Sequence, residues 1–73
     1  MRIPSVKAAE IMNRYSTTAL TMRNIDKLQE FTDETVLLLV KCAKRDLVDE
    51  KDYEMVYEFI MDLEYQQSKR IAH

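Results

Sequence analysis

Glycine is absent from this 73-residue chain, where average usage of about 7% would supply roughly five. Tight hairpin turns, phosphate-cradling loops and dinucleotide fingerprints all place glycine where φ is positive or where a ligand approaches the backbone closely. Walker-type and Rossmann-type functions are therefore excluded. Cysteine occurs once, as Cys42, and histidine once, as His73. A single cysteine forms no intramolecular disulfide, and the two residues fall short of the four nitrogen and sulfur ligands of a structural zinc site. No metal or other cofactor is expected. The lone proline, Pro4, precedes the first periodic segment, and no repeat or low-complexity tract follows, so residues 1–73 are expected to form a single helical domain. No apolar run approaches the roughly 20 residues that span a bilayer. The opening MRIPSVKAAEIM also lacks the apolar stretch and small-residue cleavage site of a signal peptide. The expectation is a cytoplasmic protein without membrane association.

What is present is 47% hydrophobic and 33% charged residues, too apolar a mixture for a disordered chain. A domain this short hides only about 60% of the surface it exposes when unfolded, and a partner subunit is a common remedy for such a thin core. The net charge of −2 conceals an asymmetry: five Lys/Arg against three Asp/Glu in residues 1–31, and six against ten in residues 32–73. That balance carries no domain-wide basic excess of the kind that marks a nucleic-acid binder.

Apolar residues recur at helical spacing along most of the chain. Ser5 is placed to cap a first helix carrying Ala8, Ile11, Met12 and Tyr15 on one side, with Glu10 and Arg14 as a favourable i,i+4 pair. The polar, β-branched stretch RYSTTAL predicts a turn, and Met22, Ile25 and Leu28 mark a second helix. Thr32 reads as the cap of a third helix, with Asp33 and Glu34 in its first turn and Lys41, Lys44 and Arg45 in its last, as the macrodipole favours. On that helix Val36, Leu39, Val40, Cys42 and Ala43 share an arc, while Leu37 and Leu38 fall on opposite shoulders. Asp49 starts the longest helix, with Asp52 as the acid of a box-like cap and Val48 placed to staple against Tyr53. Its expected core arc is Tyr53, Val56, Phe59, Ile60 and Leu63, with Gln66, Gln67 and Ser68 free to fray. The fold expected is all-α, a small bundle of four helices at about 5–15, 20–31, 33–46 and 49–69, with a helix-turn-helix-like N-terminal half as a variant.

Two surfaces stand out as candidate sites. On the last helix Tyr57, Met61 and Tyr65 repeat at i+4 outside the core arc, interleaved with the acids Glu54, Glu58 and Asp62. Tyrosine and methionine are favoured at interfaces for their large adaptable area, and the acids suit a basic partner. The same ridge also fits a helix covered on two sides, by its own subunit and by a twin in a homodimer through the last two helices. Near the front, a helix-turn-helix pattern puts Ala9 at the small position, Met12 at the apolar one and Asn13 at the turn position usually given to glycine. Ala19 and Met22 would then face inward, and Thr17, Thr18, Thr21, Arg23 and Lys27 would face a DNA duplex. Arg14 departs from the pattern, because an apolar residue normally follows the turn.

Catalysis finds no support in the sequence. The carboxylates Asp49, Glu50, Asp52, Glu54, Glu58 and Asp62 lie along one solvated helix, and no internal histidine is placed to activate a serine, threonine or Cys42. Cys42 reads as a small buried hydrophobe. No motif ties the chain to a named family; in length, helicity and mixed charge it is similar in style to small regulators and inhibitors of phages and plasmids. The function expected is a non-enzymatic protein-protein interaction module, a regulator or inhibitor that occludes a macromolecular partner. The alternative is a dimeric helix-turn-helix DNA-binding regulator.

Overall fold

The computed structural model describes residues 5–72, so Pro4 and His73 lie outside it. Those residues form three helices, α1 (Val6–Ala19), α2 (Ile25–Lys44) and α3 (Glu50–Ala72), and no strand. The all-α class holds, but the four-helix count does not: the helices expected at 20–31 and 33–46 are one continuous element.

The reason lies at Thr32 and Thr35. Thr32 does not cap; its hydroxyl donates back to the Leu28 carbonyl at 2.9 Å, and Thr35 does the same to Phe31 at 2.9 Å. A threonine whose hydroxyl bonds one turn back sits inside a helix without leaving a donor unpaired. With no glycine or proline between Phe31 and Glu34, nothing interrupts the ladder. The cap of α2 is instead Asn24, whose side-chain oxygen accepts the Lys27 N–H at 3.1 Å.

The other helix starts follow the sequence reading. Ser5 Oγ accepts the Ala8 N–H at 3.1 Å, and Asp49 Oδ1 accepts the Asp52 N–H at 2.8 Å. Asp52 is buried, and its carboxylate takes the Ser5 backbone N–H at 3.1 Å, tying the starts of α1 and α3 together. At the far end Gln67, only 1% exposed, donates its amide Nε2 to the Met22 carbonyl just past α1 at 3.0 Å. Two polar contacts about 22 Å apart along α3, at 1.5 Å per residue, thus fix its register and run it parallel to α1. The end expected to fray is anchored, and α3 continues to Ala72.

One core joins the three helices: Ala8, Ile11, Tyr15 and Ala19 from α1, Leu28, Leu39 and Cys42 from α2, and Val56 and Ile60 from α3, closed by Val48. Tyr15 is its largest buried side chain and stacks on Phe31 with ring centroids 5.4 Å apart. Phe59, expected in the core, is 37% exposed. The buried line of α3 runs through Asp52, Val56, Ile60 and Gln67, and a step of about 100° per residue leaves Phe59 at its margin.

Without glycine, α2 ends on Asp46, which takes a left-handed φ of 59°. Asp46 N–H donates to the Ala43 carbonyl and Leu47 N–H to the Cys42 carbonyl, the paired bonds of a Schellman ending. A non-glycine residue is strained there, more mildly for aspartate than for most. Asp46→Gly is expected to raise stability by about 0.5–1 kcal/mol, the relief of strain outweighing the added chain entropy of the unfolded state, as a higher urea midpoint at unchanged slope.

Candidate functional site: the channel between α2 and α3

Three helices packed round one core leave α2 with more apolar surface than its neighbours cover. Its buried side is Leu28, Thr32, Thr35, Leu39 and Cys42. Leu38 turns toward α1, lining a cleft of about 210 Å³ with Ile11, Arg14, Tyr15 and Phe31. Leu37 turns the other way. It borders an open channel of about 350 Å³ between α2 and α3, together with Val36 and Val40 on one wall, Tyr57 and Met61 on the other, and Thr32 at the base. Asp33 and Glu64 supply a carboxylate on each side.

The ridge expected on α3 is divided by this geometry. Tyr57 and Met61 enter the channel; Tyr57 stays 41% exposed, stacked on Tyr53 at 6.3 Å, and Met61 packs partly onto the core. Tyr65 lies beyond the channel, 61% exposed, with the Lys69 ammonium 4.5 Å above its ring. Glu54, Glu58 and Asp62 are exposed and outside the channel lining, on the outward flank of α3. Val36, Leu37 and Val40 complete the apolar wall and were not among the sequence candidates. Their signal was visible in the run VLLLV, which is too apolar for a helix with a single buried stripe.

The helix-turn-helix register is not realised. Asn13, assigned to the turn, lies within α1, and the chain turns at residues 20–24. The reason is local: nothing at Asn13 breaks the ladder, whereas Thr21 closes the actual end of α1 by donating its hydroxyl to the Thr18 carbonyl at 2.7 Å. Thr17 and Thr18 fall in the last turn of α1, Thr21 and Arg23 in the connector and Lys27 in the first turn of α2, all exposed. They ring a helix junction rather than one face of a recognition helix.

Burial pushes the Tyr15 phenol above the usual value of 10.0, aided by the Glu64 charge. Its hydroxyl lies 2.8 Å from Thr32 Oγ1. Because the single Thr32 proton goes to Leu28, Tyr15 is the donor, and its proton is committed to the core. Among the described residues no three His, Cys, Asp or Glu side chains converge as a metal site, and no helix is long and apolar enough to cross a membrane. No known protein family, curated protein or solved structure matches the chain.

Proposed function

We propose that this protein is a non-enzymatic interaction module, a regulator or inhibitor that captures an amphipathic basic segment of another protein in the α2–α3 channel and thereby occludes it. The observation that carries this reading is the apolar lining of exposed Leu37 and Tyr57 and half-buried Val36, Val40 and Met61 between carboxylates on both walls. Apolar side chains of the partner would fill the channel. Its Lys or Arg residues would meet Asp33 and Glu64 at the rim and be steered by Glu54, Glu58 and Asp62 on the flank. Helix-in-groove capture of this type reads anchors at i, i+3 or i+4 and i+7. The mechanism is steric.

The test uses labelled helical peptides with a Leu/Phe stripe flanked by lysines, and the same peptides flanked by glutamates. Fluorescence anisotropy should show binding of the basic set only, weakening as salt screens the acids. Tyr57→Ala/Met61→Ala, with helicity checked by circular dichroism, should raise Kd about tenfold or more. Equal affinity for both peptide sets, or no effect of the double substitution, would overturn the reading.

A further inference from the structure

We propose that the chain also pairs with a second copy of itself along the outward stripe of α2, the two helices antiparallel and centred on Leu37. Opposite the buried line of α2 lie Asp26, Glu30, Asp33, Leu37, Lys41 and Lys44, spaced three or four residues apart and all exposed. Read along the helix, the stripe is acidic, then apolar, then basic. Leu37 at its centre is 56% exposed, more than any other large apolar side chain of α2. Asp33 and Lys41 lie one turn either side of Leu37, and Glu30 and Lys44 two turns.

A two-fold axis through Leu37 therefore sets Asp33 of each copy against Lys41 of the other and Glu30 against Lys44. Parallel pairing would set like charge against like, which costs free energy where opposite charge stabilises. Among the described residues none of these four side chains makes an ion pair, so all are available to a partner. Read forward along α2, a foreign helix would need the order basic, apolar, acidic, which an antiparallel copy presents. The chain itself supplies that order, as an isologous interface requires. This pairing does not rest on capture of a basic segment: Asp33 and Leu37 border both surfaces, but Tyr57 and Met61 belong to α3 and report on capture alone.

Sedimentation equilibrium of the whole chain from micromolar to millimolar concentration should move its mass from the 8.7-kDa monomer to twice that value. Glu30→Lys/Asp33→Lys and Lys41→Glu/Lys44→Glu should each weaken self-association about tenfold or more, and mixing the two variants should restore pairing as a heterodimer. A monomer at every concentration, a dimer indifferent to both reversals, or two helical variants that fail to pair on mixing would overturn the proposal. Should a reversed variant lose its helicity, Leu37→Ser decides, since an unchanged Kd in that variant would overturn the pairing equally.

Discussion

Tyr15→Ala is expected to remove a large share of the folding stability, seen as a much lower urea midpoint. Removing a fully buried aromatic ring costs about 3–5 kcal/mol, and a domain of this length has only roughly 4–11 kcal/mol to lose. The ring is also the stacking partner of Phe31, and its hydroxyl begins a relay from Tyr15 to Thr32 to the Leu28 carbonyl. Tyr15→Phe keeps the ring and breaks only the first link, so it should cost about 1 kcal/mol. Urea unfolding followed by circular dichroism separates the two; a Tyr15→Ala protein as stable as the parent would contradict the central place of this side chain.

The same pair of proteins should differ in alkali. The folded state holds the Tyr15 phenol above its ordinary pKa, chiefly because burial penalises the phenolate. Folded chains then bind more protons than unfolded ones, so the stabilisation is fully present below pH 10 and is lost as pH rises through the elevated folded value. Tyr15→Phe should flatten that decline.

Gln67→Glu is expected to be nearly as damaging at pH 7. Gln67 gives its amide Nε2 to the Met22 carbonyl, while its Oε1 is buried with no hydrogen-bond partner. A carboxylate there would face one carbonyl and have no donor. Keeping it protonated at pH 7, from an unfolded pKa of about 4.3 and at 1.36 kcal/mol per unit, costs about 3–4 kcal/mol. The folded pKa of this introduced acid is raised, so stability should recover as pH falls toward 4, where the protonated acid donates to Met22 as the amide did. Gln67→Leu, which loses one hydrogen bond but also removes the orphaned oxygen, should cost only about 1 kcal/mol. If Gln67→Glu unfolded at the same urea concentration at pH 4 and pH 7, the buried contact to the α1–α2 connector would not govern the end of α3.

Much of this fold was legible because its signals are local. Ser5 and Asp49 cap where their side chains reach the N–H three residues on, and Ala8, Ile11 and Tyr15 repeat at a helical period. Thr32 misled for a related reason: a threonine before two acids has the composition of a cap, but whether its hydroxyl reaches forward or one turn back depends on what surrounds it. Here Tyr15 supplies a donor from α1, and Thr32 passes its own proton back to Leu28. Gln67 misled likewise, since a glutamine near a chain end frays unless a carbonyl from another element meets it.

The candidate site divides along the same line. Tyr57 and Met61 were recognisable from their spacing outside the core arc, and Leu37 and Leu38 from their places on opposite shoulders. That Leu37 joins Tyr57 and Met61 in one channel while Tyr65 lies outside depended on how α2 and α3 pack, which no single-helix pattern contains. The sequence by itself determined helicity, the caps of α1 and α3, most of the inward faces and the acid-to-base order along α2, because these arise from contacts within a turn or two. Only the tertiary structure decided that α2 is one helix, that Asp52 and Gln67 fix α3 against α1, and where an apolar channel opens, because those depend on side chains that meet across distant parts of the chain.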